Sequence, residues 1–120
     1  MAAIFQATAV IRKTHPLQAV LLDGRTFLRP GQVRALLDLA ASLGESPRLV
    51  ECVCDDAVAR ERLERDQAEG RHAATNRTFA LYLSLKAAVE PIPIPHLILD
   101  TGRTPLEECI QRCLDYLGMD

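Results

Sequence analysis

Lysine is scarce in this chain. Of its fourteen basic residues only Lys13 and Lys86 are lysines, and the other twelve are arginines. Net charge is small as well: sixteen acidic residues leave a formal charge of -2 and a pI near 5.9. No global field therefore draws the chain to nucleic acid or an anionic membrane, and no specific nucleic-acid partner is expected; basic chemistry has to be local. Arginine suits phosphate clamps because its planar fork donates two parallel hydrogen bonds, although a surface rich in Arg and Ala also reflects coding bias. No stretch approaches the roughly 20 apolar residues that span a bilayer, so no membrane partner is expected. The opening Met1 to Thr8 lacks a basic leader and its apolar run is broken by Gln6, so a signal peptide is not expected and a cytoplasmic location is. In that compartment Cys52, Cys54, Cys109 and Cys113 are expected to be reduced thiols.

What is present is the alternation of buried strands with amphipathic helices. Ile4, Ala7, Val10 and Ile11 favour a helix that breaks before Pro16. Gln18 to Asp23 is a short apolar run ending in a carboxylate, the form of a parallel strand covered on both faces. Pro30 and Gly31 open a helix whose Val33, Leu36, Leu37, Ala40 and Leu43 recur at three- and four-residue spacing until Gly44. Arg48 to Cys54 reads as a second strand. Asp55 reads as the N-cap of a charged helix with i,i+4 pairs Arg60/Glu64, Glu61/Arg65 and Arg62/Asp66, ending near Gly70. A polar stretch, Arg71 to Arg77, leads to a helix carrying Phe79, Tyr82, Leu83, Leu85 and Val89. Pro91, Pro93 and Pro95 impose an extended connector. His96 to Asp100 is a third strand, after which Thr104, Pro105 and Glu107 fit an N-cap, a proline at N1 and a capping-box glutamate. Leu106, Cys109, Ile110, Cys113, Leu114 and Leu117 form the core stripe of the last helix. The expected fold is a three-layer α/β/α domain over residues 1–120 with a short, mostly parallel sheet. Asp23-Gly24-Arg25-Thr26 and Asp100-Thr101-Gly102-Arg103 would lie at carboxyl ends of strands, where ligands bind in such sheets.

The cysteines permit a metal reading, since two on one strand face and two on one helix face could meet around Zn2+. Neither spacing is a CxxC knuckle, and all four fall on expected core positions, which is the reading adopted. His15 and His96 lie beside prolines at element ends, and no Cys–His nucleophile is evident.

The order strand-Asp23-Gly24-Arg25-Thr26-Phe27, then Glu51-Cys52-Val53-Cys54-Asp55 with Arg60-Glu61-Arg62-Leu63, then His72 to Arg77, then Leu99-Asp100-Thr101, resembles the C-terminal two-thirds of small P-loop kinases. These are AAA-labelled ATP-binding proteins related to zeta-toxin-like and polynucleotide-kinase-like phosphotransferases, and the resemblance spans nearly the whole chain. It implies ATP and Mg2+ as cofactors. Asp23 matches the carboxylate that helps hold the Mg2+ of the nucleotide, a role that suits a cation keeping several waters, while a turn begun with Gly24 accounts for it equally. Arg62 and Arg65 match arginines before the lid that neutralise transferring phosphate; by themselves they also read as a solvated face. His72 and Arg77 match the lid, where an arginine closes on phosphate, and Asn76 is equally a helix N-cap. Arg103 matches the loop bordering the adenine.

A P-loop requires G-x-x-x-x-G-K-[ST], whose backbone N–H groups wrap the phosphates. The chain has no such motif: Lys13-Thr14 imitates its last two letters, but Ala7 and Arg12 stand at the glycine positions and the first glycine is Gly24. The family's strand order is 2-3-1-4-5, and the three strands here correspond to 3, 4 and 5, so the absent strand would leave a gap inside the sheet. The first two strands are therefore expected to pair directly in a rearranged three-stranded sheet, or to accept a strand or subunit from elsewhere. The expected function is that of an N-terminally truncated, kinase-like protein, an incomplete P-loop NTPase fold unable to transfer phosphate alone. Two alternatives stand beside it: a noncatalytic α/β interaction module that oligomerises through its incomplete sheet, and an ATP-dependent small-molecule kinase whose start has been placed too late.

Overall fold

The computed structural model describes residues 2–23, 31–70 and 78–119. Its elements in chain order are helices α1 (Ala2–Thr14) and α2 (Gln32–Ser42), strand β1 (Val50–Val53), helices α3 (Asp56–Ala68) and α4 (Phe79–Ala88), strand β2 (Leu97–Asp100) and helix α5 (Leu106–Leu117). The chain is mixed α/β, and it divides into two units: Met1–Pro47 with Ala88–Pro91, and Arg48–Ala87 with Ile92–Asp120.

In the first unit α1 forms as expected from its run of alanines and apolar spacing, and it ends before Pro16. Thr8 is buried on it and donates its hydroxyl to the Ile4 carbonyl, 2.8 Å away, which satisfies the group inside the helix. The Arg12 guanidinium holds the Glu45 carboxylate through two nitrogens at 2.7 and 2.8 Å and also donates to the Gln18 carbonyl. Gly44 ends α2 as expected. Its φ of 69° lets its own N–H reach the Ala41 carbonyl and that of Glu45 reach the Ala40 carbonyl, so two terminal carbonyls are satisfied.

The second unit is built on a two-stranded parallel sheet, β1 beside β2, with Val50 opposite Leu97 and Val53 opposite Asp100. Parallel neighbours need a crossover, here supplied by α3 and α4. Leu99 is the most buried apolar side chain described, at 3% exposure, with Ala59 of α3 and Cys109 of α5 next within this unit. Arg48 ties the start of β1 to the end of α5: its Nη1 donates to the Tyr116 carbonyl at 3.0 Å, a cation at a helix C-terminus, and its guanidinium lies 5.6 Å from the Tyr116 ring centre. Asp56, in the first turn of α3, accepts from Lys86 of α4 at 2.6 Å and from the Tyr82 hydroxyl at 3.2 Å, and the Lys86 hydrogen bond holds its carboxyl below the usual range. His96 bridges the strands, with Nδ1 2.8 Å from the Ile94 carbonyl oxygen and Nε2 3.2 Å from Glu51 Oε2.

Four expectations are corrected. Gln18 to Asp23 forms no strand, and the expected three-stranded sheet is replaced by two strands. A strand exists only with a partner for its backbone groups; β1 is hydrogen-bonded to β2 instead, and Leu21 stands exposed. The i,i+4 ion pairs expected along α3 are not made among the described residues, because Arg60 lies 4.3 Å over the Phe79 ring and Arg62 turns to Thr101. Helix α5 begins at Leu106 with Pro105 at the N-cap position, so Thr104 does not cap it. The stripe of α5 is only partly covered: Cys109 is buried, whereas Leu106 is 70% and Ile110 50% exposed. Asp55 does occupy the N-cap of α3 but makes no side-chain cap bond, its carboxylate being directed to Arg103. Thr78, which the sequence did not single out, caps α4 by accepting from Leu81 N–H at 3.1 Å. No described helix is long and apolar enough to cross a membrane.

Candidate functional site at the carboxyl ends of the strands

The ladder of β1 and β2 runs one residue past the strands, where Thr101 N–H donates to the Val53 carbonyl at 2.8 Å. The chain then turns sharply. Asp100 Oδ1 accepts from Gly102 N–H at 3.0 Å and Arg103 N–H at 3.2 Å, and the Asp100 carbonyl accepts from Thr104 N–H at 2.9 Å. An aspartate at the head of a turn does this because its short carboxylate reaches the N–H groups two and three residues on. Gly102 fits because a Cβ there would lie 3.3 Å from Asp100 Oδ1 and 3.4 Å from both Cys54 Cβ and Val58 Cγ2.

Into this turn comes Arg62 from α3. Its Nη1 donates to Thr101 Oγ1 at 3.0 Å and its Nη2 to the Thr101 carbonyl at 2.7 Å, which fixes the guanidinium plane at the carboxyl edge of the sheet. Among the described residues no carboxylate pairs with this half-buried cation, and its hydrogen-bond partners are the neutral groups of Thr101. Beside it opens a cavity of about 690 Å3, walled on the strand side by Cys52 and Leu99 and on the α5 side by Cys109, Ile110, Cys113 and Leu114. Thr101 and Thr104 reach the same cavity, and among the described residues no acidic one lines it.

Of the sequence-derived site residues that the structure describes, only Arg62 lines this cavity. Arg65 lies further along α3, exposed and without an ion pair among the described residues. Arg103 is three-quarters exposed and held by two carboxylates, Asp55 at 3.4 Å and Asp100 at 3.7 Å. Asp23 belongs to the first unit and ends an irregular segment rather than a strand. His72 and Arg77 lie outside the described residues. Thr101, which fixes Arg62, was legible as part of a segment at a strand's carboxyl end but not as the partner of Arg62; a sequence separation of 39 leaves no local signal.

The thiols split. Cys52, Cys109 and Cys113 share the cavity, whereas Cys54 stands beside Gly102. The expectation that all four are core fails for Cys52, which is exposed. Burial of its sulfur, with smaller contributions from Cys113 and Cys109, still pushes the Cys52 thiol above its ordinary range and keeps it protonated. Among the described residues no group of three or more His, Cys, Asp or Glu side chains is arranged to hold a metal ion. No protein-family model, curated protein or solved structure matches the chain.

Proposed function

We propose that this chain is a partial P-loop-kinase-like α/β module that does not transfer phosphate by itself. The observation that carries the reading is the parallel pairing of β1 with β2 through the α3–α4 crossover, with Arg62 fixed at their common carboxyl edge. In the kinase group that the sequence resembles, the strands matching β1 and β2 are neighbours, and an arginine of the helix that follows the first of them serves the transferring phosphate.

Asp23, the candidate Mg2+ ligand, is in the other unit, Arg103 is engaged by Asp55 and Asp100, and the sequence has no G-x-x-x-x-G-K-[ST]. A single charged hydrogen-bonding contact contributes roughly 1.5–3 kcal/mol, less than the about 4 kcal/mol that corresponds to a millimolar Kd. ATP titrated calorimetrically, with and without Mg2+, is therefore expected to give no saturable binding below about 1 mM. A micromolar Kd that Asp23→Ala abolishes would overturn this reading.

A second reading, a noncatalytic module that oligomerises through its incomplete sheet, is favoured by one observation. The outer edge of β1 has no strand beside it among the described residues. On this reading sedimentation velocity detects dimers or larger species growing with concentration up to about 100 µM, and a monomer throughout sets it aside.

A further inference from the structure

We propose that the cavity between β1, β2 and α5 binds a small amphipathic organic anion, its apolar body against the strand and helix and its charged head on Arg62. The inference does not depend on the kinase reading, because it uses only the contents of the cavity.

The volume, about 690 Å3, falls inside the roughly 300–1,000 Å3 of small-molecule sites, whose walls are mostly apolar with a few placed polar groups. The wall has that composition. Leu99, Ile110 and Leu114 supply aliphatic surface, Cys52, Cys109 and Cys113 supply weakly polar thiols, and among the described residues the only charged one on the wall is Arg62. Two of the five guanidinium N–H donors are spent on Thr101, and those two bonds hold the remaining donors in place before any ligand arrives. Holding the donor group beforehand removes part of the ordering cost of binding. A carboxylate, sulfonate or phosphate head would supply the counter-charge that Arg62 does not have among the described residues, and the Thr104 hydroxyl, which makes no hydrogen bond among them, stands on the same wall. A neutral apolar ligand would fill the cavity but leave the cation uncompensated. A hydrophilic anion would compensate the cation and leave the apolar wall wet. The pairing of the two features selects a ligand with both.

The test uses two dyes that share an anilinonaphthalene body: 8-anilinonaphthalene-1-sulfonate, which carries the anionic head, and N-phenyl-1-naphthylamine, which lacks it. Each is titrated into the intact chain and followed by fluorescence. The expected result is one-site binding of the sulfonate, weakened roughly tenfold or more by Arg62→Met, with the affinity of the neutral dye changed less than about twofold. A second variant, Ile110→Glu, alters an exposed wall position, so it spares the fold and sets a carboxylate in the cavity; it is expected to weaken the sulfonate roughly tenfold or more. Sulfonate affinity left unchanged by Ile110→Glu overturns the proposal even if Arg62→Met fails to fold. So does an equal loss of both dyes in a folded Arg62→Met variant, which would make Arg62 a structural tie only, and so does absence of sulfonate binding to the unaltered chain.

Discussion

Leu99→Ala is expected to lower the stability of the second unit by about 3 kcal/mol, within the 2–5 kcal/mol range for emptying a buried leucine site. Leu99 is the most buried apolar residue described, and the apolar core around it is small, with Ala59 and Cys109 the other buried members in this unit. Both contributions to the loss act here. The lost transfer energy is that of two methyl carbons and a methine, and the hole left behind borders an existing cavity on one side, so the strand side cannot collapse onto a close neighbour. Small domains have about 5–15 kcal/mol in total, so this one change removes a large share. Urea denaturation followed by tyrosine fluorescence reads it cleanly, because the two tyrosines of the chain, Tyr82 and Tyr116, both belong to this unit. The neighbouring control is Ile98→Ala. Ile98 is 53% exposed on the same strand and is expected to cost less than about 1 kcal/mol. Equal effects at positions 98 and 99 would mean that the sheet does not pack on α5 as described.

The second large effect is expected at Gly102. Alanine there presses on Asp100 Oδ1 at 3.3 Å, which has to give by a few tenths of an ångström, and comes into contact with Cys54 Cβ and Val58 Cγ2 at 3.4 Å, and valine adds two methyl groups to a space already closed. Of these neighbours Cys54 Cβ is the least able to move, since it is one bond from the backbone. Pressure on Asp100 loosens the two N–H bonds that form the turn, and the turn is what presents Thr101 to Arg62. Gly102→Val is therefore expected to cost about 2–3 kcal/mol and Gly102→Ala about 1 kcal/mol, in the range of overpacking. The same urea titration decides it. A valine variant within about 0.5 kcal/mol of the parent would show that the turn relaxes freely.

Much of this architecture can be read from local pattern, and the failures share a cause. The helices α1, α2, α4 and α5 follow from their apolar residues and α3 from Asp55 and its charged run, with Gly44 and Gly70 beyond the ends of α2 and α3, and β1 and β2 follow from short apolar runs. Gln18 to Asp23 has the same apolar character as those runs, yet a strand is a property of two segments, and β1 found its partner in β2. The ion pairs along α3 were chemically sound, but Phe79 and Thr101 compete for Arg60 and Arg62 from distant parts of the chain. Thr104 has the right type for an N-cap, but the helix starts one residue later, with Pro105 at the N-cap position. Arg62 was singled out by resemblance; its partner, its missing counter-charge and its cavity are properties of the folded chain.

The short outer edge of β1 limits how any other chain can join this one. A four-residue strand turns only about half of its N–H and C=O groups outward, so an added strand gains a few backbone hydrogen bonds, each worth roughly 0.5–1.5 kcal/mol net. That falls near or below the 4–15 kcal/mol lost when two free molecules become one. Backbone pairing along this edge is thus too weak to recruit a partner indiscriminately, and a durable complex has to be decided by side chains: which residues the newcomer sets against Val50 and Cys52, and how well their shapes match.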